Sequence, residues 1–584
     1  MKLHLPRFSR PLMLGWLMFI IGGLFIVRLY NLQITKHAYY EAEGLKEHQA
    51  KFVIPAKRGL IYAHDGVNIV PLVLNEPAYL VFADPRYIKN LESTVTSLNR
   101  IAGGNMVKDS ATLLSDKQHQ YVIVAKGLNK HQAELIKKEN LPGIGLQAGE
   151  RRVYPEGTLA GQLLGYVNGD GVGQYGIEQF LNSQITGKAG LLKASATDVH
   201  GIPIDSSDKD VQIPVQDGSN IALTIDRSIQ SYAEQALKTG LEKAKAKHGS
   251  VLIMNPQTGA VLAMASLPSY DPAKFYDLGE NDYSVYQNPI VSDLYEPGSV
   301  IKTLTMATGL DSGAVKPDST FDNTGSIRLD DYEIRNVEQD VNGKRNMADI
   351  LLYSLNTGVV HILQELGGGQ INRQARDKLY GYFNNRFLLS QKTGIEQSGE
   401  AYTKLFSPDD PQGNNIRYAN MTFGQGMNVS MIQVASAFSA VINGGTYYKP
   451  HLLDGTLNEL GAEQYQPPQV VKSGVVSPTT TDQLKDMIHM ARQKTFPGAD
   501  KQGYIVGGKT GTAQVIDPKT GKYSDSNAIG SYLGFGGDST PRYVIMVRVV
   551  DSQISGFAGA AAAAPIFTDV SNWLIDYLKL QPTQ

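Results

Sequence analysis

The 584-residue chain contains no cysteine, which excludes a disulfide framework, thiol chemistry and thiolate-bound zinc together. Its charges nearly cancel, 54 Lys and Arg against 56 Asp and Glu for a net of -2, so no basic field marks it as a nucleic-acid partner. The 11 histidines form no H-E-x-x-H or comparable cluster, and no metal is expected. Nor is a cofactor expected. Gly171-Val172-Gly173-Gln174-Tyr175-Gly176 matches G-x-G-x-x-G, but no clear strand and helix frame it, and tight turns explain its glycines. The 30 tyrosines read as amphipathic core and groove residues, not as nucleotide stackers.

Long apolar runs are absent too, with one exception. Pro11 to Val27 carries no charge, is rich in Leu, Ile, Met and Phe, and is just long enough to span a bilayer as a helix. No A-x-A-like site closes the run, so an uncleaved anchor is expected in place of a signal peptide. Lys2, Arg7 and Arg10 precede it and no acid occurs before Glu41. That asymmetry puts a tail of residues 1–10 in the cytoplasm, the anchor at 11–30 and the remaining chain outside.

The length exceeds what one hydrophobic core usually serves, so further domains are expected. Residues 35–215 are mixed, with a strand-like Tyr79-Leu80-Val81-Phe82 and helical character from Lys130 to Lys138. The polar stretch His200 to Asp210 reads as a loop, with a boundary between it and Gly218. Beyond it, Asp226 can cap a helix to about Lys247, with Ile229, Ala233, Ala236, Leu237, Leu241 and Ala244 at helical spacing. A hairpin follows, from Ser250 to Met254 and from Ala260 to Met264 around Asn255-Pro256-Gln257-Thr258-Gly259. Tyr504-Ile505-Val506 and Tyr532-Leu533-Gly534-Phe535 flank a polar loop, and Tyr543 to Val550 makes another strand. The last helix carries Phe567, Val570, Leu574, Tyr577 and Leu578 on one side, and the alanine run 560–564 reads as low-complexity filler. Strands at both ends of a helical region imply an antiparallel sheet covered by helices, an α+β domain over 216–584.

Three short motifs carry chemistry. Ser299-Val300-Ile301-Lys302 follows the turn signal Pro297-Gly298 and opens a short helix ending near Gly309, so Ser299 falls in a first turn whose free N–H groups favour an anion. Lys302, three residues on, shares its face. A serine hydroxyl needs a base, and a lysine serves as one when burial or neighbouring cations lower its pKa. Ser354-Leu355-Asn356 lies between helical stretches, where Ser354 can relay a proton and Asn356 can hold a substrate amide. Lys509-Thr510-Gly511-Thr512 follows Tyr504 to Gly508, where Lys and Thr on a strand edge can bind a carboxylate and Gly511 lets substrate backbone lie alongside. Each motif alone is weak. S-x-x-K recurs at Ser206 to Lys209, S-x-N at Ser97 to Asn99, and K-T-G at Lys392 to Gly394 and Lys519 to Gly521.

Order is what adds specificity. The trio on helix, loop and strand matches the set of penicillin-binding proteins and class A β-lactamases. Through Tyr295-Glu296-Pro297-Gly298-Ser299, Phe423-Gly424-Gln425-Gly426 and Gly508-Lys509-Thr510-Gly511-Thr512-Ala513 the chain resembles the monofunctional class B penicillin-binding proteins. The resemblance covers nearly the whole chain, including Arg58-Gly59-Leu60-Ile61 and the glycine-rich 169–178. It implies a β-lactamase-like transpeptidase domain behind a transmembrane helix and a non-catalytic pedestal (dimerisation-like) domain. It further implies a D,D-transpeptidase in which Ser299 attacks the penultimate D-Ala carbonyl of a stem peptide, terminal D-Ala leaves, and a neighbouring stem's amine takes the acyl group. Lys302 is then the base, Ser354 a relay, Lys509 with Thr510 and Thr512 the carboxylate contacts, and the N–H groups of Ser299 and Thr512 the oxyanion hole. β-Lactams are implied inhibitors; a SEDS-family glycosyltransferase and other divisome or elongasome membrane proteins are implied partners. The bacterial cytoplasmic (inner) membrane is the implied location. No E-D-x-x-F signature occurs in 35–215, against the bifunctional class A enzymes. The wording around Ser299 and Gly424 is closer to the division type than to the elongation type. Ala63 and His64 depart from the family's R-G-x-I-x-D-R pattern.

Two other classes compete. Gly503 to Thr510 satisfies G-x-x-x-x-G-K-[ST], but a phosphate loop needs a strand before the first glycine and a helix after the threonine, and neither is legible here. An inactive scaffold or a β-lactam hydrolase would keep the fold and change the job. Intact triplets oppose the first, and no water-activating base is evident for the second.

Overall fold

The computed structural model describes residues 9–40, 50–119, 121–194, 211–277, 283–337, 341–458, 463–516, 523–554 and 558–583. They form two compact units interleaved along the chain, one of residues 1–57, 77–151 and 187–218, the other of 58–76, 152–186 and 219–584. The chain enters the second unit for the last time at Ser219. The earlier segments 58–76 and 152–186 belong to that unit through tertiary contacts that leave no compositional mark.

In the first unit, helix α1 (Arg10–Tyr30) meets the expectation of an apolar span and continues without a break to Thr35. At 1.5 Å per residue its 21 residues extend roughly 32 Å, enough for a hydrocarbon core. Strand β1 (Ile61–Asp65) belongs to the second unit, and β2 (Asn68–Ala83) begins there and ends in the first. The remainder of the first unit is α2 (Leu91–Ala102), β3 (Val122–Leu128), α3 (Lys130–Glu139) and β4 (Ile144–Val153). Its core is Val81, Leu98, Ile101, Leu114, Val124, Leu128 and Ile136. The expected helix from Lys130 is α3, started by a capping box of Asn129 and Gln132.

The second unit holds the catalytic candidates. β1 pairs parallel with β5 (Asn220–Asp226). Asp226 caps α4 (Arg227–Ala244) by accepting from the Ile229 N–H; the helix stops three residues short of the expected Lys247 because Lys245 turns left-handed at φ 51°. The expected hairpin is β6 (His248–Met254) and β7 (Val261–Leu267). Next come α5 (Lys302–Asp311), α6 (Met347–Leu352), α7 (Asn356–Leu366), α8 (Met431–Ile442), β8 (Leu453–Leu457), which pairs antiparallel with β5, and α9 (Pro478–Thr495). The chain returns as β9 (Ile505–Ile516), β10 (Tyr523–Gly537) and β11 (Pro541–Val550), closed by α10 (Ala564–Tyr577). Together they make one antiparallel sheet in the order β7-β6-β11-β10-β9.

Alternation along these strands builds two apolar layers. Leu252, Leu533, Val544 and Met546 face a core containing Val300 and Ile301, while Val251, Tyr532, Ile545 and Val547 pack with α4 and α10. β10 starts well before the expected Tyr532, so a stretch read as polar loop is partly strand. The alanine run is not filler. Ala562, Ala563 and Ala564 are buried, and a Cβ on Gly559 would lie 2.2 Å from the Gly511 carbonyl oxygen, so only small residues let this segment close on β9.

Candidate active site

Pro297 and Gly298 set the chain into the Ser299 turn, with Gly298 at φ 64° where a β-carbon is disfavoured. Ser299 sits in a single 3-10 turn, Gly298–Ile301, that forms the first turn of the helix and feeds α5. The turn is fastened from both sides. Tyr295 and Val429 exchange both backbone hydrogen bonds, the Gly298 N–H donates to the Gly424 carbonyl at 3.1 Å, and the Gly426 N–H donates to Glu296 Oε1 at 2.7 Å. On the sheet side, a Cβ on Gly298 would stand 2.8 Å from Thr512 O, which puts the serine turn directly against the Thr512 peptide.

Lys302 is fully buried. Its Nζ donates to the Ser354 carbonyl at 2.6 Å and to Asn356 Oδ1 at 2.7 Å, with Ser354 Oγ at 3.2 Å. Burial, followed by the positive charge of Lys509, holds its pKa well below the ordinary lysine range. A neutral amine has two N–H bonds and one lone pair. The two short acceptors can take both N–H groups, leaving the lone pair for a hydroxyl proton.

The S-x-N loop owes its shape to Ser354, which adopts φ 54° between α6 and α7, strain of the kind that gathers at functional sites. Asn356 Nδ2 donates to the Arg335 carbonyl at 2.8 Å, so its amide is fixed at both ends. Lys509, on β9, is 5% exposed and donates to Thr510 O and Oγ1, both at 3.1 Å. Gly511 is obligatory because a Cβ there would meet Ser531 Oγ at 2.4 Å and Pro297 O at 3.0 Å. The structure therefore brings Ser299, Lys302, Ser354, Asn356, Lys509, Gly511 and Thr512 into one neighbourhood, with Thr510 next in the strand.

The rival motifs separate from it. Ser97 to Asn99 lies inside α2 with Leu98 buried. Lys392-Thr393-Gly394 is a loop in which the Thr393 N–H and hydroxyl and the Gly394 N–H all donate to Glu400. Ser206 to Lys209 and Lys519 to Gly521 lie outside the described residues. Lys509 and Thr510 are in a strand, which removes the phosphate-loop reading. Gly171, at φ 78°, is a turn glycine as expected, whereas Gly173 lies in a short strand, Gly173–Gln174, and Gly176, at φ 50°, opens a short helix, Gly176–Phe180. At the departed pattern Ala63 is buried and His64 Nε2 lies 2.8 Å from Asp454 Oδ2. Sequence reasoning passed over Glu296, Gly424 and Gly426 as site residues. The G-x-G after Phe423 was the available signal, since its backbone answers the serine turn.

The penicillin-binding protein transpeptidase domain model matches residues 249–572, and the penicillin-binding protein dimerisation domain model matches 53–223. The chain belongs to the class B penicillin-binding proteins. It is 31% identical to a peptidoglycan D,D-transpeptidase FtsI homolog of Mesostigma viride, the match covering 99% of this chain and 97% of that one. It is 26% identical to the peptidoglycan D,D-transpeptidase FtsI of Escherichia coli K12, covering 91% and 85%. Penicillin-binding protein 3 of Mycobacterium tuberculosis, solved with aztreonam, shares the fold at a TM-score of 0.68 and 23% identity, over 91% of this chain and 98% of that one. Penicillin-binding protein 2X of Streptococcus thermophilus does so at 0.70 and 23%, over 91% and 80%. The expected α+β transpeptidase fold with a pedestal domain is thus present, and the protein is a serine-type peptidoglycan D,D-transpeptidase. As a penicillin-binding protein it takes peptidoglycan as substrate and binds β-lactams.

Proposed function

We propose that this transpeptidase cross-links stem peptides of the division septum through an acyl-enzyme on Ser299, with Lys302 as its base. The observation that carries the reading is the buried, charge-repelled Lys302 amine held by Ser354 O and Asn356 Oδ1. Ser299 Oγ attacks the penultimate D-Ala carbonyl carbon and its proton passes to the Lys302 lone pair. The resulting oxyanion lies between the N–H groups of Ser299 and Thr512, each such donor contributing about 3 kcal/mol. As the C–N bond breaks, Lys302 returns the proton by way of the Ser354 hydroxyl to the leaving D-Ala amine. The amine of a neighbouring stem then attacks the ester, loses its proton to Lys302, and Ser299 Oγ regains one. Asn356 holds the substrate amide, and Lys509, Thr510 and Thr512 receive the terminal carboxylate beside Gly511.

In this reading residues 35–215 are non-catalytic pedestal sequence, of which 58–76 and 152–186 fold into the same compact unit as the catalytic region 216–584. The α1 helix anchors the chain in the bacterial cytoplasmic membrane with the N-terminus inside. The anchor and pedestal engage a SEDS-family glycosyltransferase and other divisome proteins. The full chain in detergent, given a D-Ala-D-Ala donor stem and an acceptor amine, should release D-Ala and form cross-links, and Ser299→Ala should do neither. Turnover by Ser299→Ala would remove the mechanism. A fluorescent fusion concentrated along the lateral wall instead of at mid-cell would replace the septal role by elongation.

A further inference from the structure

One row of residues crosses the sheet beneath the serine turn. Ser266 opposes Ser250, Ser250 opposes Arg548, Arg548 opposes Ser531, and Ser531 opposes Gly511. Directly opposite residues share a face, and here it is the face of Leu252, Leu533 and Met546, which belongs to the core containing Val300 and Ile301. The row is thus a polar line within an apolar layer. Its members other than glycine are all buried, and Ser250 and Ser266 hydrogen-bond each other at 3.0 Å.

The segment that leads into Ser299 runs over this row at alternate residues. Pro297 O accepts from Ser531 Oγ at 3.4 Å, the Tyr295 ring centroid lies 5.1 Å from the Arg548 guanidinium carbon, and Asp293 Oδ2 accepts from Arg548 Nη2 at 2.8 Å. Arg548 is 5% exposed, whereas the Asp293 side chain is half exposed. Arg548 Nε and the Tyr295 hydroxyl are both buried without a hydrogen-bond partner among the described residues. For stability alone this is a poor arrangement. Burial takes the Arg548 guanidinium out of water while its carboxylate partner stays half in solvent, and each orphaned polar atom adds a cost.

We infer that Arg548 is a positioning residue for acylation: through Asp293 and the Tyr295 ring it fixes where the Ser299 turn sits against the Thr512 peptide. The inference rests on Ser299 as the acylated residue. Its guanidinium reaches two points of the lead-in segment four and six residues before Ser299, and the Gly298–Thr512 approach leaves little slack for a shift.

Acylation by a fluorescent penicillin, followed on the full chain in detergent, separates the pre-covalent binding constant from the first-order acylation rate. Arg548→Met should lower the rate about tenfold, a fraction of what a 1 Å misplacement costs, and leave the binding constant within about twofold. Its thermal midpoint should stay near that of wild type. Arg548→Lys, which keeps the charge and loses the planar stack, should fall between. Asp293→Asn should show a smaller loss of the same kind that does not add to that of Arg548→Met. Arg542→Ala, on the same strand but paired with Asp538 at the surface, should change nothing. A folded Arg548→Met that acylates at the wild-type rate, or whose loss lies only in binding, overturns the inference. If Arg548→Met does not fold, Asp293→Asn decides, and its wild-type rate would overturn the inference equally. Failure of the wild type to be labelled on Ser299 would instead remove the reading beneath it.

Discussion

Gly424→Ala is the sharpest test of how the serine turn is held. Gly424 adopts φ 81°, and a Cβ there would stand 2.2 Å from the Gly298 carbonyl oxygen and 2.7 Å from the Gly298 nitrogen. An alanine in that backbone region costs about 1 kcal/mol in strain. A carbon–oxygen contact relaxes at roughly 3.3 Å, so the two segments must part by about 1 Å. Gly298 precedes the nucleophile, and the shift passes to Ser299. A misplacement of about 1 Å costs on the order of 100-fold in rate, which is about 2.7 kcal/mol of barrier. The assay is stopped-flow acylation by a fluorescent penicillin with the thermal midpoint measured in parallel. Gly313→Ala supplies the control, because Gly313 has φ 70° with nothing within 4 Å of its would-be Cβ among the described residues, and it carries the strain without the displacement. It should lose about 1 kcal/mol of stability and keep its acylation rate. Acylation by Gly424→Ala within threefold of wild type, or an equal rate loss in Gly313→Ala, would refute the reasoning.

Further outcomes follow from the same geometry. Acylation should rise with pH as Lys302 loses its proton below the ordinary lysine range. Lys509→Gln removes one of the two causes of that depression, so its rising limb should lie at higher pH, and an unmoved limb would show that Lys302 is not the titrating base. Glu178 is fully buried and accepts from Arg58 Nε at 2.8 Å and Arg152 Nε at 2.7 Å; Glu178→Gln should cost about 3–5 kcal/mol, and an unchanged thermal midpoint would contradict this. With no native cysteine to interfere, Thr583→Cys should react with an impermeant maleimide on intact spheroplasts and Ser9→Cys only after permeabilisation. The reverse pattern would invert the proposed topology.

The site was legible where chemistry follows local order. Pro297-Gly298 marked the turn, Lys302 followed at helical spacing, and the order of the triplets at 299, 354 and 509 separated them from their chance copies. Context then agreed, since Lys509 lies in β9 and Lys392 in a loop capped by Glu400. What escaped notice depends on partners distant in the chain. Glu296 matters because its carboxylate accepts from Gly426, 130 residues away, and the alanine run because Gly559 packs on Gly511. The interleaving of 58–76 and 152–186 with the catalytic unit rests on pairings such as Ile61 with Ile221, which no periodicity announces. The early start of β10 was missed because its polar residues read as loop, whereas β9 supplies the ladder partner.

The central claim is that Ser299 is the residue acylated. Treating the full chain with labelled penicillin, measuring the intact mass and mapping the modified peptide tests it most directly. One penicillin per chain on the peptide containing Ser299, with no gain in Ser299→Ala, is the predicted result. An unmodified wild type, a label on another residue, or the same adduct in Ser299→Ala would contradict it.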